Sequence, residues 1–328
     1  MRIRWLLLGF LIISLPALAD LRLNDRGYFE APGLNVIVFD DIYPEGHQTG
    51  VTVIQHGVRV AANGDLRLEA SPGQWSPVPK AGTRTVDRES QSITQVMAYP
   101  DSDRDRKGFN PIIYPDLDLS YSVRVIPQKG TAFRIIVDLD QPLPEEWVGK
   151  VGFNFELFPG TLFGKAWLLD ESSGHFTVQP NGPIVEVDGE QLATPLASGE
   201  RLVVAPDDPM QRLQIEARQG TLELLDGRTN HNNGWFIVRT PVPAGATRNA
   251  IEWTISPNTV EDWQYAPVIQ VSQLGYASEQ PKSVIIEQDS RDTSRSPIEI
   301  WKLTAEGGDV ALEGMPERWH GDFLRYNY

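Results

Sequence analysis

Glycine and proline are spread so evenly along this chain that long helices are excluded. The 328 residues include 28 Gly and 25 Pro, and few stretches of a dozen residues lack one of them. Proline removes a backbone donor and clashes with the preceding helical turn, while glycine loses much conformational freedom when it is held in a helix. The chain must therefore build its core from short strands that are separated by turns.

Short apolar alternations recur at close intervals and predict fourteen strands between residues 34 and 256. They are predicted at Leu34–Asp40, Gly50–His56, Leu66–Ala70, Ser92–Ala98, Asp118–Ile126, Phe133–Leu139, Val151–Leu157, Lys165–Leu169, Ile184–Val187, Arg201–Ala205, Leu213–Ala217, Leu222–Leu225, Trp235–Arg239 and Ala250–Ser256. An immunoglobulin-sized sandwich holds only about seven to nine strands. We therefore expect an all-β fold with a large antiparallel β-sandwich, or two packed sandwiches, over residues 20–257.

The first 19 residues predict a secretory signal peptide. Two arginines precede an uncharged apolar run from Trp5 to Leu15, and an Ala-Leu-Ala sequence ends at residue 19. This order of segments is typical of signal peptides, and the run is shorter than the roughly 20 residues that span a bilayer. We expect a mature chain that starts near Asp20, is secreted or periplasmic, and has no membrane contact after cleavage. An uncleaved anchor is the alternative.

Composition narrows the possible partners and chemistries. The chain has no cysteine, which excludes thiolate catalysis, disulfides and cysteine-based metal sites. Its formal net charge of −15 argues against a nucleic-acid partner, since phosphate binding depends on lysine and arginine. A neutral polysaccharide is compatible with this charge.

A second region, near the C-terminus, predicts a hairpin. Two apolar alternations, Ile269–Gln273 and Ser283–Ile286, flank a loop that contains Gly275, Tyr276 and Pro281. Alternation bounded by glycine and proline is typical of two strands joined by a turn.

The residues of this hairpin carry a resemblance to a known family. The Gln-Leu-Gly-Tyr turn at 273–276, the following Pro-Lys and the apolar strand resemble the first hairpin of the immunoglobulin-like module of family 9 glycoside hydrolases. In those cellulase-type enzymes the module precedes the catalytic barrel. Ile298–Leu303 and Trp319–Tyr328 look like later strands, so the resemblance covers Val268–Tyr328. It implies an incomplete immunoglobulin-like β-sandwich.

The resulting domain organisation has four parts. Residues 1–19 are the signal peptide, 20–257 an accessory β-sandwich domain, 258–267 a short packed linker, and 268–328 a truncated immunoglobulin-like module. The resemblance implies the non-catalytic N-terminal portion of a secreted glycoside hydrolase that acts on β-linked polysaccharide of the cellulose type. Its partner would be a C-terminal catalytic barrel outside this sequence, and the chain alone would be inactive. The alternative is a stand-alone secreted carbohydrate-binding or adhesion β-sandwich protein.

Two tryptophans are candidates for contact with sugar. Trp75 and Trp147 lie in polar, loop-like segments. Exposed aromatic rings suit the apolar faces of pyranose rings, although burial in the core suits tryptophan equally well.

Three aspartates have a spacing that a metal could use. Asp101, Asp103 and Asp105 alternate in one acidic segment, and carboxylate oxygens are ligands for calcium. The EF-hand pattern is not met, because Arg106 and Ile112 stand where that loop needs glycine and glutamate. A solvated surface loop is the competing interpretation. Calcium is the only cofactor for which the sequence offers a candidate site.

No catalytic residue is assigned from the sequence. It contains no nucleophile elbow, no zinc-binding helix motif and no phosphate-binding glycine loop followed by lysine. The acids that carry out the chemistry in the resembling family belong to its barrel. A self-contained hydrolase acting from the large sandwich remains a third possibility, and close carboxylates on that domain would be its mark.

Overall fold

The described part of the chain is almost wholly β-structure. The computed structural model describes residues 20–40, 50–68, 79–99, 117–187, 189–229, 234–319, 322–323 and 326–327. Helical segments in this part are three short 3-10 turns, Glu145–Trp147, Pro159–Thr161 and Gly227–Thr229. None of the helices found there is long and apolar enough to cross a membrane. The predicted signal peptide lies outside the described residues.

The described residues up to 257 form twenty strands. They are β1 (Arg22–Leu23), β2 (Phe29–Ala31), β3 (Leu34–Val38), β4 (Val51–Gln55), β5 (Val58–Leu68), β6 (Lys80–Asp87), β7 (Ser92–Tyr99), β8 (Leu119–Pro127), β9 (Phe133–Leu139), β10 (Val151–Leu157), β11 (Ala166–Leu169), β12 (Ser172–His175), β13 (Ile184–Val187), β14 (Glu190–Ala193), β15 (Ala197–Gly199), β16 (Arg201–Val204), β17 (Leu213–Ala217), β18 (Leu222–Asp226), β19 (Phe236–Pro241) and β20 (Ile251–Pro257).

Eighteen of these strands form two large antiparallel sheets. Sheet A has the order β1-β2-β3-β4-β5-β10-β19-β18-β15, and sheet B has the order β12-β11-β16-β17-β20-β9-β8-β7-β6. The remaining two, β13 and β14, pair with each other as a separate hairpin. The expected all-β class and the large antiparallel β-sandwich are both confirmed.

Large apolar side chains from both sheets meet in one core. Phe153 of sheet A packs edge-on against Trp253 of sheet B, with ring centroids 5.0 Å apart, and neither side chain is exposed. The indole nitrogen of Trp253 donates a hydrogen bond of 3.0 Å to the hydroxyl of Thr240 on sheet A. Trp253 therefore buries its apolar surface without leaving its one donor unsatisfied.

Strand β8 shows how alternation defines this core. Its apolar side chains at alternate positions are buried, whereas the polar side chains between them are half-buried.

The bounds predicted for β9 and β10 match the structure. Strand β5 begins at Val58, eight residues before the predicted start at Leu66, and Asn63 and Gly64 form an irregularity inside this one long strand. The mostly exposed, polar β6 (Lys80–Asp87) was not predicted, because it lacks an apolar alternation.

Residues 258–267 pack against the sandwich. The amide of Asn258 donates to the carbonyl oxygen of Arg212, and the side chain of Gln55 donates to the carbonyl oxygen of Asn258 at 2.6 Å. The backbone N–H of Val260 donates to the Nε2 atom of His56 at 3.0 Å. These hydrogen bonds attach residues 258–267 to the sandwich.

The described residues after the connector form six further strands. They are β21 (Val268–Gln270), β22 (Ile285–Asp289), β23 (Ile298–Thr304), β24 (Gly307–Gly314), β25 (Asp322–Phe323) and β26 (Tyr326–Asn327). One sheet has the order β21-β22-β26-β25, and β23 pairs with β24 in a second, two-stranded sheet. We call residues 268–328 the C-terminal unit.

Candidate functional site: a buried carboxylate and arginine network

Four of the five residues that the sequence nominates for binding lie outside the described residues. These are Trp75 and the three aspartates Asp101, Asp103 and Asp105. Trp147 is described. Within the part of the chain that the structure describes, no group of three or more acidic or histidine side chains is arranged to hold a metal ion.

Trp147 lies in a 3-10 turn at the edge of the sandwich. Its side chain is half-buried and packs against the hydrophobic core. The ammonium group of Lys150 lies 6.0 Å from the ring centroid, at the outer limit of a cation–π contact. Part of the indole therefore supports the core, and only the remainder can meet a ligand.

The centre of sheet A is buried on both faces. In β10, Phe153 and Phe155 enter the core, and by alternation Gly152, Asn154 and Glu156 lie on the opposite face. All five of these residues are buried. A strand in a one-sided sheet would expose its second face, so this polar face is covered as well.

Four polar side chains form a row across this region of sheet A. Asp65 of β5 is directly opposite Asn154 of β10, which is opposite Arg239 of β19. Arg239 is in turn opposite Glu223 of β18. Residues directly opposite one another in antiparallel strands have Cβ atoms about 5 Å apart, so each neighbouring pair can interact.

Asp65 is held by tyrosines that reach it from sheet B. The hydroxyl of Tyr121 donates to Asp65 Oδ1 at 2.9 Å, and the backbone N–H of Leu66 donates to the same oxygen at 2.8 Å. Tyr99 stacks on Tyr121 and donates to the carbonyl oxygen of Leu66 at 3.2 Å. Asp65 therefore links sheet A to sheet B through a buried hydrogen bond with Tyr121.

Glu156 belongs to the same network. The amide of Asn63 donates to Glu156 Oε2 at 2.5 Å, and Arg67 donates to the carbonyl oxygen of Asn63 at 3.3 Å. Asn63 has a left-handed backbone with φ of 55°, a conformation that asparagine tolerates better than most residues. The irregularity in β5 thus places the Asn63 side chain against Glu156.

Burial has the largest effect on the pKa values of these acids. Desolvation raises the pKa of Asp65 to about 7, although Arg67, the Tyr121 hydroxyl and the Leu66 amide all act to lower it. Desolvation also raises the pKa of Glu156 against the opposing charge of Arg67, and the pKa of Glu223 against that of Arg239. In each case the loss of hydration outweighs the neighbouring arginine.

Such a set of groups has acid–base capacity but is closed to solvent. A carboxyl group with a pKa near 7 can donate or accept a proton at neutral pH. Most glycoside hydrolases use a pair of carboxyl groups for catalysis. However, the side chain of Asp65 is only 1% exposed and that of Glu156 only 8% exposed. In the conformation described here, the network joins strands and sheets and offers no entry to a substrate.

The sequence contains a weak signal for this network. Charged residues at 65, 67, 156 and 239 lie within strands whose other residues are mostly apolar. In a strand whose apolar alternation already fills one face, such charges indicate that the second face is covered too. What the sequence does not contain is the register that brings β5, β10, β19 and β18 side by side.

Comparison with known proteins does not assign this chain to a family. No protein-family model and no curated protein matches it. The resemblance to family 9 glycoside hydrolases therefore rests on the residues of the C-terminal hairpin and stays a prediction.

Proposed function

We propose that this chain is the non-catalytic N-terminal portion of a secreted glycoside hydrolase that acts on β-linked polysaccharide. In this proposal the sandwich associates with the polysaccharide, and hydrolysis belongs to a catalytic barrel outside this sequence. Secretion would follow from the predicted signal peptide. No residue in the described part of the chain has a catalytic role in this proposal.

The geometry of the C-terminal hairpin is the observation that carries the proposal. Strands β21 and β22 pair with Ile269 opposite Ile286, so the two apolar segments form an antiparallel hairpin. Gly275 has a φ of 77°, which favours glycine, and the Tyr276 hydroxyl donates to the carbonyl oxygen of Ser283 at 2.5 Å. Gly275 and Tyr276 of the motif thus each have a structural role in the turn.

The closed carboxylate network supports the non-catalytic part of the proposal. A hydrolase needs an acid and a base that both reach the glycosidic bond, together with room for water. Asp65 and Glu156, two acids of the sandwich whose pKa values are raised by burial, are buried among Asn63, Arg67 and Tyr121.

Two assays on the purified protein test the proposal. We expect it to co-sediment with insoluble cellulose more than with an insoluble α-glucan, and to release no reducing sugar from a soluble β-glucan. A Trp147→Ala variant tests the predicted sugar contact against Trp301→Ala, which removes an exposed tryptophan that is not predicted to bind. Weaker sedimentation of the first variant alone would support the Trp147 prediction. Failure of the wild-type protein to sediment with cellulose would contradict the proposal.

The carboxylate network favours one second candidate, a hydrolase that acts from the sandwich itself. Asp65 and Glu156 lie on neighbouring strands and have raised pKa values. This candidate predicts reducing-sugar release that Glu156→Gln abolishes while the folded state persists by circular dichroism. Such a result would replace the first proposal.

A further inference from the structure

A polar cleft lies between the edge of sheet A and the C-terminal unit. Its volume is about 490 Å³, within the range of roughly 300–1,000 Å³ that is usual for small-ligand sites. One wall comes from β1, β2 and β3, and the other from the end of the connector and the end of β22. Ligand sites occur preferentially at such junctions between domains.

The sandwich wall presents two accessible hydrogen-bonding side chains. Arg22 on β1 is opposite Glu30 on β2. Asn35 on β3 is opposite Glu30 but is only 4% exposed and already has an interaction of its own. Arg22 and Glu30 lie one strand spacing apart, or about 5 Å. Glu30 Oε2 accepts a hydrogen bond of 2.9 Å from Asn24, which leaves further lone pairs on the carboxylate. The exposed Arg22 has no ion-pair partner among the residues that the structure describes.

The opposite wall combines an aromatic ring with a fixed ion pair. Arg291 binds the buried Asp289 through two contacts, Nε to Oδ1 at 2.9 Å and Nη2 to Oδ2 at 2.7 Å. Asp289 Oδ2 also accepts the backbone N–H of Tyr265 at 3.0 Å. These contacts hold the half-buried Tyr265 where it lines the cleft. A two-point arginine–carboxylate contact fixes orientation as well as distance, so this wall is pre-organised.

The junction behind the cleft keeps the two walls in register. His56 accepts the N–H of Val260 at Nε2, so its Nδ1 carries the proton and donates to the carbonyl oxygen of Met210 at 2.7 Å. Trp263 packs edge-on against His56 with ring centroids 5.3 Å apart, and against Tyr265 at 4.4 Å.

Two glycines make this close approach possible. A Cβ atom on Gly33 would lie 2.9 Å from His56, and a Cβ atom on Gly57 would lie 2.9 Å from Tyr265. Both glycines also have positive φ angles, 74° and 79°. The shape of the cleft therefore depends on these two glycines, since larger residues at their positions would separate its walls.

The chemistry of the lining points to a neutral, hydroxyl-rich ligand. Carboxylate oxygens accept hydrogen bonds from hydroxyl groups, and the guanidinium of Arg22 donates to them. An aromatic ring such as that of Tyr265 suits the apolar face of a sugar. The lining carries charges of both signs, with Arg291 already neutralised by Asp289, so neither a strong anion nor a strong cation is favoured.

We propose that this cleft binds a short segment of a β-linked glucan, with Tyr265 against a sugar ring and Arg22 and Glu30 bonded to its hydroxyl groups. The inference rests on the proposed function, because it names where the sandwich and the C-terminal unit together hold the polysaccharide. No catalytic step is attached to this site.

Titration of the purified protein with cellotetraose, followed by calorimetry, tests the inference. We expect saturable binding that Arg22→Ala weakens about tenfold, since a hydrogen bond from a charged group is lost. Ser290→Trp, which places a large side chain in the cleft, should abolish binding. The matched control is Arg201→Ala, an exposed arginine on sheet B outside the cleft. Maltotetraose, an α-linked tetrasaccharide of the same size, should bind at least tenfold more weakly than cellotetraose.

The outcomes separate this inference from the proposed function. Unchanged cellotetraose affinity in both cleft variants would contradict the proposed glucan site. It would also be contradicted if Arg201→Ala weakened cellotetraose binding as much as the cleft variants do, or if maltotetraose bound as tightly as cellotetraose. Absence of cellotetraose binding to the wild-type protein would overturn it as well. If cellulose still retains the protein in any of these cases, the proposed function stands. If cellotetraose binding depends on the cleft but cellulose does not retain the protein, the glucan site would be supported and the proposed function contradicted.

Discussion

The sandwich and the C-terminal unit are both made of alternating strands, yet they bury them very differently. In the sandwich, β10 has no exposed residue, and Phe153 and Trp253 are fully buried. In the C-terminal unit, β24 is exposed along its whole length, and Leu303 of β23 is 84% exposed. Alternation specifies a strand in both regions, but burial depends on a second layer that packs against it. The large sheets A and B provide that layer for each other.

The largest predicted contrast comes from removing one tryptophan in each region. Trp253→Ala deletes a fully buried indole and its hydrogen bond to Thr240, and should lower the free energy of unfolding by about 3–5 kcal/mol. Trp301 is 51% exposed, so Trp301→Ala should change it by less than about 0.5 kcal/mol. Urea unfolding measures both. Similar losses in the two variants would mean that the C-terminal unit has a covered core of its own.

The two regions should also respond to pH with opposite signs. Burial raises the pKa of Asp65 to about 7 from 3.8, so the folded sandwich binds more protons than the unfolded chain between about pH 4 and pH 7. Its free energy of unfolding should therefore fall as pH rises through that window, by up to about 1.4 kcal/mol per pH unit. The Arg291 hydrogen bond lowers the pKa of Asp289 to about 2, so its contribution is present above about pH 4 and is lost as pH falls toward 2.

Single variants connect each pH response to its group. Asp65→Asn should flatten the dependence between about pH 4 and pH 7, and Asp289→Asn should flatten the acid limb. Glu156 and Glu223 share the sign of Asp65, so some dependence should remain in the first variant. Urea midpoints of the sandwich that rise between pH 4 and pH 7 would show that burial does not dominate the network.

A smaller effect is expected where the two regions meet. Arg291→Ala removes two hydrogen bonds from the buried Asp289 and should weaken the packing of the C-terminal unit by about 1.5–3 kcal/mol. The rate of limited proteolysis within residues 258–267 should rise accordingly. Arg295→Ala, an exposed arginine of the same unit, is the control and should leave the rate unchanged. Equal cleavage in both variants would argue that Asp289 does not hold the connector.

How much could be predicted from the sequence differed between strands and sites. The strands Phe133–Leu139 and Val151–Leu157 were predictable to the residue, because apolar alternation reports burial against a second sheet. The edge strand Lys80–Asp87 was not, since an exposed strand needs no apolar face. The carboxylate network could not be predicted from the sequence, because only the register of four strands brings Asp65 and Glu223 into one row.

The cleft illustrates the same limit at the junction. Its walls come from β1 to β3 and from residues beyond 264, which are distant in sequence. The predicted packed connector was the only local indication that these segments would meet. The two glycines that permit the contact, Gly33 and Gly57, look like ordinary turn residues in the sequence, since their second task depends on His56 and Tyr265.

Native-state hydrogen exchange on the whole chain can show whether a closed sandwich carries an open C-terminal unit. We expect backbone amides of Val151–Leu157 to exchange only through global unfolding, whereas those of Ile298–Thr304 should exchange orders of magnitude faster through local opening. Equal protection of the two strands in the isolated chain would contradict it.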